Sequence, residues 1–195
     1  MAKSLAGVKT HPVFSAKDYL DFERFAQERH EFLDGSVYAM AGESRSHSTI
    51  CFNLNTIIGL QLRGKPCRGF SPNMKVCTNE AGLFSYPDLI IVCGEPLPHD
   101  EQGDVVTNPT VIFEVLSRST ESYDRGEKFL RYTNNIETLR DYVLIAQNRP
   151  HVEHYSKDSG WNKTEIEGVD AVLKLDSVDC EIALGELYDL VEFSA

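Results

Sequence analysis

Apolar and polar positions along this chain change rhythm several times, and each change marks an element. Ser15 and Asp18 are spaced as a capping box, after which Tyr19, Phe22, Phe25 and Ala26 recur at helical spacing to about Arg29. The segment from Glu31 to Ala41 turns through Asp34-Gly35 and continues as a short strand, Val37-Tyr38-Ala39-Met40. Ser46 is placed to cap a second helix whose Ile50, Leu54, Ile57, Ile58 and Gln61 form one stripe ending near Gly64. Strand-like runs follow at 70–77, 86–93, 110–117 and 141–146, punctuated by a Gly/Pro/Asp-rich loop over 94–109 and a helical stretch over 122–134. Beyond His151 the pattern predicts short strands with turns at Asp158-Ser159-Gly160 and Glu167-Gly168, then a strand and one helical turn over 180–190. Neighbouring strand runs are not separated by helices throughout. The expectation is an α/β (α+β) fold: a central mixed β-sheet flanked by helices, with a C-terminal β-hairpin extension.

Composition narrows this. The 195 residues are 42% hydrophobic and 25% charged, close to an ordinary globular domain. One domain over 1–195 is the simplest count, with 1–14 as an N-terminal arm and 151–195 as an acidic β-rich extension. The net charge of −11 excludes a strongly basic protein that coats nucleic acid. Residues 151–195 carry 11 acidic against 3 basic side chains, so most of the excess belongs to that extension. Five cysteines without any C-x-x-C pair argue against a zinc ribbon and support no disulfide framework. Met1 to Thr10 lacks the apolar core of a signal peptide, and no run of roughly 18 apolar residues occurs. The chain reads as cytoplasmic, with no membrane partner.

Two acids stand out against their surroundings. In a strand, Ile112, Glu114 and Leu116 share one face while Val111, Phe113 and Val115 share the other, so Glu114 projects among hydrophobic neighbours on a central strand. A buried carboxylate is costly unless paired, protonated or metal-bound. Two readings stand: a structural ion pair, or a functional acid. Asp88, after Pro87 at the head of Leu89-Ile90-Ile91-Val92, is again an acid at the mouth of an apolar strand. Adjacent strands lie about 4.8 Å apart, which would bring two such carboxylates within chelating distance of Mg²⁺ or Mn²⁺.

Tyr86-Pro87-Asp88, followed 26 positions after the aspartate by Glu114-Val115-Leu116-Ser117, resembles the PD-(D/E)XK nuclease pattern. More narrowly the chain resembles the Uma-type restriction endonuclease family. It shares Glu31 before Asp34-Gly35, Met40-Ala41-Gly42 with His47, and Asp124, Lys128 and Tyr132 in D-x-x-x-K-x-x-x-Y. The likeness runs from about Tyr19 to Ala146. It departs at one place: the superfamily lysine two residues after the second acid, which orients or activates the attacking water, is Leu116 here. The resemblance implies that Lys128 supplies the ammonium instead, one helix later. On local grounds alone, Asp124 and Lys128 are equally an exposed i,i+4 pair.

The resemblance further implies Mg²⁺ (or Mn²⁺) held by Asp88, Glu114 and the Val115 carbonyl. Glu31, Asp88, Glu114 and Lys128 would be the catalytic set of an endodeoxyribonuclease acting on DNA. It also implies a homodimer, although no sequence feature marks an interface. His47 reads as a cap or packing residue, and Glu43, Ser46, Tyr86 and Ser117 as supporting groups. Basic residues at Arg63, Lys65, Arg68 and Lys75, and at Arg118, Arg125, Lys128 and Arg131, are candidate phosphate contacts or ordinary solvated faces. Two alternatives stay open: a non-catalytic binding or assembly module on a nuclease-like fold, and a hydrolase of a smaller phosphate ester.

Overall fold

Val111–Leu116 is buried at every position, and the remaining elements are arranged around it. The computed structural model describes residues 13–78 and 82–193, so nearly all of the expected N-terminal arm, including Met1 to Thr10, lies outside the described residues. In chain order the elements are α1 (Ala16–Glu23), β1 (His30–Leu33), β2 (Ser36–Ala39), α2 (Arg45–Gln61), β3 (Cys67–Phe70), β4 (Lys75–Cys77), β5 (Leu83–Ser85), β6 (Leu89–Cys93) and β7 (Val105–Val106). They continue with β8 (Val111–Leu116), α3 (Glu121–Tyr123), a π-helical turn (Asp124–Lys128), α4 (Phe129–Asn135), β9 (Asp141–Ala146), β10 (His151–Ser156), β11 (Lys163–Glu167), β12 (Val172–Leu175), β13 (Cys180–Ala183) and α5 (Leu184–Leu187).

The larger sheet has the order β11-β10-β9-β8-β6-β3. Its β8–β9 pair is parallel and its other pairs are antiparallel, which makes it the expected mixed sheet. Both faces of β8 are covered, as a strand with two apolar faces requires. Val111, Phe113 and Val115 pack under Ile50, Leu54 and Ile58 of α2, together with Leu173, Leu175, Ile182 and Leu187 of the C-terminal hairpin and α5. Ile112 and Leu116 pack on the opposite face with Tyr132, Ile136 and Leu144. Each fully buried aliphatic chain stabilises the fold by about 1.5–3 kcal/mol.

A second sheet, β2-β1-β5-β4-β7, was not expected. The run over 70–77 divides between the two sheets, because the Ser71–Met74 turn, built on donor-less Pro72, ends β3 before β4 begins. The run over 86–93 begins later than expected for the same reason. Pro87 cannot enter the ladder, so the larger sheet starts at Leu89 while the preceding Leu83–Ser85 belongs to the smaller one. Pro87-Asp88 therefore crosses from one sheet to the other.

Other boundaries moved too. The Ser15 capping box forms with Asp18, but α1 ends at Glu23, and Phe25 is left 89% exposed with no core to reward a longer helix. Ser44 rather than Ser46 caps α2, accepting from the His47 N–H at 3.1 Å. Asp34 and Gly35 both have positive φ (45° and 89°), which suits the tight β1–β2 hairpin that Asp-Gly predicts. Cys67 and Cys93 face each other across β3 and β6 and form a disulfide, a pairing for which the sequence offers no support. Sequence spacing could not show it, since the pairing is made by sheet register. Among the described residues no helix is long and apolar enough to cross a membrane.

Candidate active site

Asp88 occupies the place where Pro87 interrupts the β6 ladder. Its backbone N–H donates to the Phe113 carbonyl at 3.1 Å, and its carboxylate then accepts from the Val115 N–H at 2.6 Å. The side chain thus continues the strand's hydrogen bonding for one further step, which locks the carboxylate beside β8. His47 Nε2 stands 3.4 Å from the same oxygen, Oδ2, and Cys51 Sγ lies 3.6 Å from Oδ1.

Glu114 projects from the other face of β8 into the layer below α4 and the π turn. Lys128 meets it there, with Nζ 3.3 Å from Glu114 Oε1, 3.1 Å from Glu31 Oε1 and 3.1 Å from Asp124 Oδ1. The Tyr132 hydroxyl also donates to Glu114 at 3.2 Å and bonds Ser85 at 2.6 Å. A helix with the D-x-x-x-K-x-x-x-Y spacing sets all three side chains over Glu114. Asp124 and Lys128 bracket the π turn, a distortion that recurs at functional sites. The exposed i,i+4 pair is thus excluded, since both residues are buried.

Glu31, Asp88, Glu114, Val115 and Lys128 all line one cleft of about 590 Å³, between the two sheets and the N-terminus of α2. Its electrostatics are lopsided. Six carboxylates, those of Glu31, Glu43, Asp88, Glu114, Asp124 and Glu127, line it with the Lys128 ammonium, the Arg29 guanidinium and the His47 imidazole. Burial, aided by Asp124, Asp88 and Glu31, holds the Glu114 carboxyl well above its usual range despite Lys128. Burial opposes the charge on Lys128, but Glu114 and Glu31 outweigh it and hold the ammonium protonated. For His47 burial likewise disfavours charge, and Asp88 and Glu43 more than compensate, raising its pKa.

A family model described as "Putative restriction endonuclease" (Uma2) matches residues 16–185. The chain belongs to the Uma2 family. It is 35% identical to the uncharacterized protein sll1609 of Synechocystis sp. (strain PCC 6803), over 86% of this chain and 95% of that one. It is 33% identical to slr1290 of the same organism, over 91% of this chain and 92% of that one. The fold matches a crystal structure titled as a "putative nuclease belonging to DUF820" from Anabaena variabilis ATCC 29413, with a TM-score of 0.76. That match has 14% identity and covers 92% of this chain and 99% of the other. The α+β architecture, sheets flanked by helices, is that of this nuclease-like fold.

As a Uma2 protein the chain is expected to use a divalent metal, and its cleft fits one. The donors are carboxylates and a backbone carbonyl, the set that suits a hard cation. Asp124 Oδ1 is buried without a hydrogen-bond partner, with the Lys128 ammonium 3.1 Å away as an ion pair. Burial first, and the neighbouring acids second, disfavour charge on Glu114, and a divalent cation would offset both.

Two groups near Asp88 were not anticipated from the sequence. The sequence reads His47 as a cap or packing residue and assigns Cys51 no role. Their i,i+4 spacing was the available signal, since it puts both on one face of α2. Tyr86 donates to Glu23 at 2.8 Å, and Glu23 also accepts from the His30 N–H. This buried link ties α1 to the cleft wall. The basic candidates fare differently. Arg125 pairs with Glu121 and Glu153, Arg131 with Asp34 and Glu127, and Lys75 with Asp104. Lys65 binds carbonyl oxygens of the 178–179 turn, and Arg63 lies just beyond the C-terminal end of α2, the end opposite His47. Arg118 is exposed beside Ser117, Ser119 and Thr120 at the cleft rim.

Proposed function

We propose that this Uma2 protein is a metal-dependent endonuclease that hydrolyses phosphodiester bonds in DNA, with Mg²⁺ (or Mn²⁺) as cofactor. The observation that carries the reading is the placement of one buried ammonium, Lys128, within 3.3 Å of Glu31, Glu114 and Asp124, in the cleft that Asp88 also lines. Asp88, Glu114 and the Val115 carbonyl would hold the metal, with Glu31 assisting. When bound, the metal supplies a water of lowered pKa and neutralises charge growing on the phosphate.

The chain's own groups do the rest. Val115 N–H and His47 hold Asp88 in one orientation, and Tyr132 and Lys128 do the same for Glu114. Lys128, kept charged by its carboxylates, either orients the attacking water or faces the developing negative charge, the work of the superfamily's motif lysine. Arg118 at the rim is a candidate contact to a flanking phosphate. The reading carries with it a single domain over 1–195, a cytoplasmic setting and a homodimer.

The test is cleavage of supercoiled plasmid, single-stranded DNA and small phosphate esters with Mg²⁺ or Mn²⁺ present. Plasmid cleavage by the wild type, reduced by about 10²-fold or more in Asp88→Asn, is expected. Undiminished metal-dependent cleavage by Asp88→Asn overturns the residue assignment, and turnover confined to small esters overturns the DNA reading.

A further inference from the structure

We propose that His47, Cys51 and Asp88 form a second cation site, selective for a thiophilic divalent ion of the Zn²⁺ type, which shares Asp88 with the oxygen-lined set around Glu114. One ligand atom from each residue lies within 4.8 Å of the other two. The closest approaches are 3.6 Å between Cys51 Sγ and His47 Nδ1, 3.6 Å between Cys51 Sγ and Asp88 Oδ1, and 3.4 Å between His47 Nε2 and Asp88 Oδ2.

Tetrahedral zinc with Zn–S of about 2.3 Å and Zn–N or Zn–O of about 2.0–2.1 Å places its donors about 3.3–3.6 Å apart. The contacts above use both imidazole nitrogens and both Asp88 oxygens; one donor atom from each residue lies within 4.8 Å of the other two, so an ion would draw the three together by a turn of the imidazole and the carboxylate. They are also pre-assembled. His47 and Cys51 are one turn apart on α2, the spacing by which a helix presents two ligands to a single ion. Asp88 is locked against them by the Val115 N–H at 2.6 Å. All three residues are at most 8% exposed, so little ordering is left for the ion to impose. Glu43 Oε2, 3.7 Å from His47 Nδ1, is placed to fill or guard the fourth position on the cleft side.

The chemistry separates this site from its neighbour. A thiolate and an imidazole favour Zn²⁺ or Co²⁺ over Mg²⁺, whereas the Glu31–Glu114 side of the cleft offers only oxygen. Binding converts the Cys51 thiol to thiolate and releases its proton to solvent. The proposal does not depend on nuclease activity.

Its test is Co²⁺ titration of the full-length protein with Cys67–Cys93 intact, read by absorption. A thiolate-to-Co²⁺ charge-transfer band that saturates at one equivalent, and that Zn²⁺ abolishes, is expected. The band should persist in Cys180→Ser and in Glu114→Gln, a change aimed at the proposed hydrolytic site. It should be lost in Cys51→Ala and weakened in His47→Ala, with circular dichroism confirming that each variant is folded. Absence of the band in wild type, its survival in Cys51→Ala, or its loss in Glu114→Gln overturns the proposal. Because no step reads cleavage, an inactive enzyme would leave the result unaffected.

Discussion

The ammonium of Lys128 stands 3.3 Å from Glu114 Oε1, although one residue is anchored on a helix and the other on a buried strand. The contact exists because Glu114 and Leu116 point to the face of β8 that α4 and the π turn cover, so a helical side chain reaches the carboxylate from above. Glu31 arrives from the smaller sheet and closes the third side.

Lys128→Met keeps much of the side-chain volume and removes the charge. Three acids then share a buried space with no counter-ion, and loss of one partner from a buried ion pair costs about 3–5 kcal/mol. Urea unfolding of the variant should show a loss of that size. Metal-dependent cleavage, assayed where the variant remains folded, should fall about 10²-fold or more. A stable variant with full activity would remove Lys128 from the site.

Leu116→Lys restores the superfamily's motif lysine on paper. Leu116 is 4% exposed and packs with Ile112, Tyr132 and Leu144, so an ammonium there would sit among apolar side chains. The substitution should destabilise the fold by at least about 2 kcal/mol and give no gain in cleavage, whether alone or combined with Lys128→Met. Rescue of the double variant to wild-type rates would show that the strand position is functionally equivalent.

Reduction of Cys67–Cys93, or Cys67→Ser with Cys93→Ser, reopens a loop with a sequence separation of 26. Loop-entropy arithmetic puts the cost at about 3.5 kcal/mol. A fall in the urea midpoint, with no change in the Co²⁺ band, is expected. The bridge lies on β3 at the sheet edge and none of the three cation donors belongs to it.

Asp104 accepts from Arg24 and Lys75, at 2.8 Å from each, and these partners overcome its partial burial to hold its carboxyl well below the usual 3.8. A depressed folded-state pKa means that the stabilisation is present above pH 3.8 and is lost as pH falls through the folded value. Asp104→Asn should therefore be less stable than wild type at neutral pH, by about 1 kcal/mol after solvent screening. The two proteins should converge in unfolding experiments as the pH drops below 3.8. A difference that widens on acidification would contradict the pairing.

The sequence by itself determined what local rules encode. The alternation over Val111–Leu116 required a strand buried on both faces, and with it a costly acid at Glu114. The Ser15–Asp18 capping box and the Asp34-Gly35 hairpin formed as read, because caps and tight turns depend on residues a few positions apart. Asp124, Lys128 and Tyr132 were placed on one helical face by their four-residue spacing.

Only the tertiary structure decided the rest. Strand order carried Pro87-Asp88 across two sheets, and register opposed Cys67 to Cys93. The crossing of α2 over β8 delivered His47 and Cys51 to Asp88, and pairing withdrew Arg125 and Arg131 into the protein's own ion pairs. The contacts of Cys67 with Cys93, Cys51 with Asp88, Arg125 with Glu153 and Arg131 with Asp34 join residues about 25 to 100 positions apart. Local periodicity does not specify such separations. They follow from which apolar faces find each other on burial, and the polar groups at the edges of those faces meet as a consequence.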